Sequence, residues 1–193
     1  PLDAFLFGMI AANKENPPRK SFQEVLEAFK MFLERHPEAG LFLHTQQISG
    51  GSFPIRDYAN YLKIGQRCFF LDQLFSSIFA TRDDILNQYN ALDAYMSPSQ
   101  TEGFGLTIIE AQACGKPVLV NRAHSMPELI IEGKTGEIAE PTSRWFNNAL
   151  SFWERPDPKS IYEAMEKIYA MVKANPEQVA KDCRDNIETN FNI

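Results

Sequence analysis

The chain has 193 residues and a mass of 22.0 kDa, the size of one domain. With 44% apolar and 23% charged residues it is globular in composition, which excludes disorder, collagen and low-complexity repeats. Nineteen Lys and Arg against 25 Asp and Glu give a net charge of −6; this argues against non-specific binding of nucleic acid or anionic membrane, but not against a local basic pocket for a phosphate.

At this length about 70% of the unfolded surface can be buried, enough for a real core. No apolar run of about 18 residues exists, so no transmembrane segment is expected. Pro1-Leu2-Asp3 lacks the basic region and apolar stretch of a signal peptide. The first residue is not Met, so the chain is expected to be processed or excised from something longer. Cys68, Cys114 and Cys183 are odd in number and widely spaced, without a C-x-x-C. A disulfide framework or zinc site is therefore disfavoured, and a reducing, cytoplasmic setting is expected, with peripheral membrane contact open for a longer protein.

Ala4 to Ile10 is an apolar run of strand length. Asn13 to Lys20 contains Pro17-Pro18 and must be a loop. Ser21 with Glu24 reads as a capping box opening a helix, with Val25, Leu26, Phe29, Phe32 and Leu33 at helical spacing and His36-Pro37 as its stop. Leu41–His44 is strand-like, Ser49-Gly50-Gly51-Ser52 a flexible loop, and Asp57 to Ile64 helix-like. Cys68–Leu71 is a third strand. Thr81 with Asp84 opens a helix over Asp83–Leu92, and Ala94–Met96 is a fourth strand. Leu106–Ala113 is helical and Pro117–Val120 a fifth strand. Ser125 with Glu128 suggests a further capping box, and Gly136–Ala139 a sixth strand. From Lys159 to about Asn190 the chain is a helical tail broken at Pro176. Strands alternating with helices predict an α/β, Rossmann-like, doubly wound parallel sheet of about six strands with helices on both faces, over residues 1–193 as a single domain. Ligands of such sheets bind at the edge where the loops after the strands gather.

The informative stretch is Ser97 to Val118, which runs strand, glycine turn, helix, glycine stop, strand. Gly103 and Gly105 allow close backbone approach to a ligand. The turn feeds a helix N-terminus, whose free N–H groups and dipole favour an anion such as phosphate. Seven residues separate Glu102 from Glu110. From a helix start near Gly105, Glu110 lies about 7–8 Å along the axis, a plausible span from a phosphate to the ribose of one nucleotide. A carboxylate accepts two vicinal hydroxyls well. Glu102, at the turn itself, would be repelled by a phosphate unless it turned towards hydroxyl donors, which suggests a sugar hydroxyl as its partner. Either feature alone is more often structural, since acids suit helix starts and a lone G-x-G is weak.

Glu102 to Glu110 in the form EGFGLTIIE, followed by AQACGKPVLV and then PELIIEGKTGEI, resembles the retaining GT-B glycosyltransferases of the glycogen-synthase and mannosyltransferase type. GMIAANKENPPRKSF followed by LFLHT is similar to a subgroup of them. The resemblance runs from about Phe5 to Glu140 and weakens over the tail. It implies the C-terminal, donor-binding half of a two-domain enzyme, with an N-terminal acceptor domain missing from this chain. It further implies a nucleoside diphosphate sugar (UDP or GDP) as substrate, an unspecified acceptor hydroxyl, and no metal or cofactor. By motif, Glu110 is expected on the ribose hydroxyls and Glu102 on the donor sugar. The backbone of Gly103, Phe104, Gly105 and Leu106 is expected at the phosphates, and Lys20 at the diphosphate. The family usually carries an arginine soon after the first-strand glycine, whereas here Met9 follows Gly8. Lys14, six residues before Lys20, or Arg19 is then the candidate second cation. Many relatives have a glycine pair where this chain has His124 and Ser125, so His124 is read as an acid–base residue or, more simply, a loop histidine. His44 is read as a structural or a rim residue. Base-binding candidates are Phe70 to Asp72 and Ile78 to Ala80. Trp145, Phe152 and Trp153 are expected to cover the core or to face the missing domain.

The reaction so implied transfers a sugar with retention, by same-face attack aided by the leaving phosphate and with no side-chain nucleophile. An alternative is a nucleotide-binding module without turnover of its own. Hydrolysis by a carboxylate pair fits poorly, because Glu110 is anchored in the helix away from Glu102. A Rossmann dehydrogenase needs a G-x-G-x-x-G after the first strand, which has only Gly8.

Overall fold

The computed structural model describes residues 4–15, 17–47, 52–71, 81–147 and 150–191. Six strands form one parallel sheet: β1 (Leu6–Ile10), β2 (Gly40–His44), β3 (Cys68–Phe70), β4 (Ala94–Ser97), β5 (Val118–Asn121) and β6 (Gly136–Ala139). Their spatial order is β3-β2-β1-β4-β5-β6. The helices are α1 (Phe22–Arg35), α2 (Ile55–Tyr61), α3 (Arg82–Ala91), α4 (Leu106–Ala113), α5 (Pro158–Ala174) and α6 (Pro176–Asn190). This is the expected doubly wound sheet, and its winding reverses between β1 and β4, where such folds open a ligand crevice.

Side-chain alternation sorts the core onto the two sheet faces. Phe5, Phe7 and Met9 join Leu41, Leu43, Met96 and Leu119 under α1 and α5. Tyr95, Val118 and Val120 join Tyr89, Ile108, Ile109 and Ile187 under α3, α4 and α6. Gly8 lies where a Cβ would come within 2.3 Å of Leu92 Cδ1, so glycine is what lets the end of α3 settle on β1.

Helix ends follow the chemistry of their caps. Thr81 and Asp84 form the expected reciprocal box, and Pro176 divides the tail as expected, with Asn175 accepting from the Gln178 N–H. The box expected at Ser21 does not form. Ser21 is left-handed, with φ 56°, and Glu24 turns instead to Arg155. Ser125 caps nothing either, because its hydroxyl donates to Phe104 O at 3.2 Å. The helix expected over Asp57–Ile64 begins at Ile55, after Pro54, and ends at Tyr61. The glycine loop expected at Ser49–Gly51 lies outside the described residues.

One element is absent from the sequence-based expectation. The segment with Trp145, Phe152 and Trp153 is not a simple cover for the core but an antiparallel hairpin, β7 (Pro141–Phe146) and β8 (Phe152–Pro156). Its rings pair across the strands, Trp145 with Trp153 at 5.3 Å and Phe146 with Phe152 at 5.2 Å between centroids. Phe146 remains 56% exposed and Phe152 45%.

Candidate functional site

Because β1 and β4 are neighbours, the loops that follow them meet at the reversal point. The proline-bearing loop after β1 brings Lys20 and Arg19. The loop after β4 brings Ser99, Gln100, Thr101 and Glu102. Lys20 Nζ forms an ion pair with Glu102 Oε1, and Arg19 Nη1 lies 3.4 Å from the same oxygen. Arg19 Nη1 also donates to Thr101 O at 2.7 Å, and Ser99 Oγ to Glu102 Oε1 at 3.3 Å. Burial lowers the Lys20 ammonium below the ordinary lysine range, while the hydrogen bond and charge of Glu102 pull it back up. Two cations and a hydroxyl thus converge on one carboxylate oxygen.

Glu110 stands exposed on α4. The phenol of the buried Tyr89 donates to its Oε2 at 2.8 Å, orienting the carboxylate from below. Tyr95 in β4 donates to Ile10 O at 3.0 Å. Burial pushes its phenol up to about 12, and the charges of Glu110 and Glu102 both add to that rise. Glu102 lies in the loop after β4 and Glu110 on the helix into which that loop leads, so both follow the same strand. The Tyr89 phenol is raised as well, first by burial. Shifted groups gathered in one place are a physical mark of a functional site.

Between the acids lies the glycine turn. A Cβ on Gly103 would meet nothing within 4 Å, so the turn faces open space. Gly105 is left-handed, with φ 98°, and a Cβ there would press on Ile108 and Leu129 at 2.9 Å. Gly105 has no side chain with which to cap α4; of the first-turn N–H groups, that of Ile108 donates to Gly105 O at 2.9 Å. Phe104 and Leu106 flank the turn and are both exposed. Phosphates suit such a place: an open turn, an uncapped helix start and two cations on the facing loop.

The sequence profile of glycosyl transferases group 1 matches residues 13–167, most of the chain. The chain belongs to that family. It is 33% identical over 127 residues to a D-inositol 3-phosphate glycosyltransferase from Corynebacterium efficiens, covering 64% of this chain and 28% of that protein. The chain therefore spans little more than a quarter of the curated relative's length. Among solved structures, the C-terminal domain of the group 1 glycosyl transferase LpcC from Francisella tularensis superposes with a TM-score of 0.69 at 19% identity, over 97% of this chain and 86% of that one. Anabaena Alr3699/HepE in complex with UDP-glucose superposes with a TM-score of 0.67 at 20% identity, over 98% and 45%.

Within this group 1 domain the remaining candidate residues are distributed as follows. Lys14 is exposed and, with Glu15, Arg19 and Lys20, lines a cavity of 40 Å³ beside the ion pair. Of the two candidates for a second cation, Arg19 is the one that reaches Glu102. His44 Nδ1 lies 2.7 Å from Gln88 Oε1 on the rim. His124 is left-handed and donates from Nε2 to Phe152 O at 2.8 Å, which ties it to the hairpin. Phe70 is half-buried under the Arg56 guanidinium, 4.7 Å above its ring. Asp72 and Ile78 to Ala80 lie outside the described residues. A cavity of 640 Å³ is lined by Leu6, Gly40, Phe42, Phe69 and others at the opposite ends of the strands. Sequence reasoning did not mark Tyr89, Tyr95 or Gln100 as site residues, and it read Trp145 only as a cover for the core or a face towards the missing domain. The signal for the tyrosines was available, since a buried phenol must find a partner and two of them precede the glycine turn.

Proposed function

We propose that this chain is the donor-binding, C-terminal half of a retaining glycosyltransferase that moves a sugar from a nucleoside diphosphate to an acceptor hydroxyl. The observation that carries the reading is the convergence of Lys20 and Arg19 on Glu102 beside an open glycine turn and an uncapped helix. In the donor complex the cations turn from Glu102 to the diphosphate, and Glu102 is released towards the hydroxyls of the sugar. Glu110, held by Tyr89, takes the ribose hydroxyls. Breakage of the anomeric bond leaves negative charge on the diphosphate. Lys20, Arg19 and the N–H groups heading α4 stabilise it, an oxyanion-hole type of assistance that requires no metal ion. Attack from the same face, aided by the leaving phosphate, gives retention without a side-chain nucleophile.

UDP-sugars are the first donors to test, because HepE superposes in its complex with UDP-glucose. The acceptor domain belongs to a longer protein, so this chain alone binds donor without completing transfer. Its three free thiols fit a reducing, cytoplasmic setting, and no helix among the described residues is long and apolar enough to cross a membrane.

Calorimetric titration with UDP-, GDP- and ADP-sugars tests the reading. Binding is expected in the micromolar to millimolar range, roughly −4 to −8 kcal/mol. Lys20→Ala and Glu110→Ala should each lose about 1.5–3 kcal/mol of it, as for charged hydrogen bonds. Equal affinities in wild type and both variants reject the site.

A further inference from the structure

Gln100 is buried, 2% exposed, and bonds through all four of its polar atoms. Its N–H donates to Arg19 O at 2.8 Å, and its side-chain amide to Pro18 O at 3.2 Å. Its carbonyl accepts from the Glu154 N–H at 3.0 Å, and its Oε1 from the Trp145 indole at 3.0 Å. Two of these bonds hold the loop that carries the cations, and two hold the aromatic hairpin. The same residue sits two positions before Glu102. Asn121 adds a second strap, donating to Ser99 O at 3.0 Å and to Glu154 O at 2.6 Å. On the far side, Arg155 of the hairpin pairs with the buried Glu24 of α1, the helix that Lys20 and Ser21 lead into.

We propose that Gln100 is a positioning residue for the candidate site and that the β7–β8 hairpin is the clamp that sets the cation loop against the acidic loop. A hairpin needed only to cover apolar surface would bury its rings, but Phe146 and Phe152 are largely exposed. The contacts the hairpin makes here are polar: the Glu154 backbone N–H and the part-buried Trp145 indole N–H both meet the buried Gln100, whose oxygens would be left unpaired if they moved. A buried residue bonded through all of its polar atoms favours one arrangement of the loops it joins, and a small displacement of paired reacting groups is costly for catalysis. Lys20 and Glu102 lie one residue from Arg19 and two from Gln100, so the network fixes their backbone directly.

The inference rests on the donor reading for its ligand, and its test has one arm that uses no ligand. Trp145→Phe keeps a ring and removes the indole N–H; Gln100→Met keeps the length and removes both side-chain polar groups. In the free protein, both variants should speed hydrogen exchange at the residue-100 N–H about three- to tenfold while the β1–β2 ladder keeps its wild-type rates. UDP affinity should fall by about the same factor, with little change in Tm. In the wild type, saturation with UDP should shift the Trp145 indole resonance, a readout that needs no variant to fold. Unchanged exchange at residue 100, acceleration spread over the whole sheet, or an unchanged UDP affinity in a loosened variant each overturn the clamp. Wild-type protein that binds no UDP defeats the donor reading instead, and the exchange arm then decides the clamp alone.

Discussion

The helices of this domain start in two ways. Away from the site, α3, α5 and α6 begin at Thr81, Asp157 and Asn175, and each side chain accepts a hydrogen bond from the first turn. At the site, α1 and α4 begin at Ser21 and Gly105, both left-handed and neither supplying a side-chain cap. These two helices follow the adjacent strands β1 and β4, where the sheet's winding reverses. Among the described α-helices, α2, which starts after Pro54, also lacks a side-chain cap. A cap stabilises a helix by about 1 kcal/mol and fills the space an anion would use. Neither α1 nor α4 gains that stability from a side chain, although the Ile108 N–H of α4 is taken by Gly105 O.

The contrast breaks most readily at Gly105. Gly105→Val forces a branched side chain into a φ of 98° against Ile108 and Leu129. It should cost about 3 kcal/mol, read as a lower urea midpoint. Valine tolerated within about 0.5 kcal/mol would mean that the turn relaxes freely, and the strained entry would lose its meaning.

Titration separates the same two regions. Burial pushes the thiols of Cys68 and Cys183 up to about 12, against an ordinary value of 9.0. A group raised on folding contributes stability that is complete below its unfolded pKa and is lost as pH rises towards its folded one. The folded state should therefore lose about 1 kcal/mol per thiol between pH 8 and pH 10. Urea unfolding at the two pH values measures the loss, and the double variant Cys68→Ala/Cys183→Ala should flatten the slope. Lys20 is shifted the other way, lowered by burial. Donor affinity should accordingly decline with alkali before an ordinary lysine would titrate, and Lys20→Arg should remove that decline. A decline that persists in Lys20→Arg assigns it to another group.

Much of this could be read from the chain. Strand and helix periodicity gave the sheet, and the spacing of Glu102 and Glu110 around two glycines marked the turn between them. The caps were legible where they obey local chemistry, as at Thr81 and Asp84. They failed at Ser21 and Ser125, where tertiary partners outbid the local box: Arg155 draws Glu24 away, and Phe104 O takes the Ser125 hydroxyl. The hairpin escaped notice because its alternation is aromatic on both faces, Trp145 beside Phe146 and Phe152 beside Trp153, so no polar–apolar period marks a strand. The Gln100 network is non-local, joining residues 18, 19, 145 and 154, and no spacing along the chain encodes it.

A capped helix offers the control. Thr81→Ala removes the hydroxyl half of the box on α3, leaving the residue-81 N–H on Asp84 Oδ2, and should cost about 1 kcal/mol of stability. Donor affinity should stay at the wild-type value, since the lost hydroxyl serves the cap, bonding Asp84. A matched fall in affinity would show that capped and uncapped starts are not separate in function.

The smallest effect has the most telling sign. Ser21 sits at φ 56° with a buried hydroxyl that finds no hydrogen-bond partner among the described residues. Ser21→Gly relieves the backbone and removes the unpaired hydroxyl, at the cost of a more flexible unfolded chain. The balance should raise stability by about 0.5 kcal/mol, whereas Ser21→Ala keeps the left-handed strain and should not. Serine would then be a residue kept at this entry despite its cost to the fold, as the capping contrast requires. A loss of stability in Ser21→Gly would instead make the hydroxyl a structural cap, and α1 would join the helices outside the site.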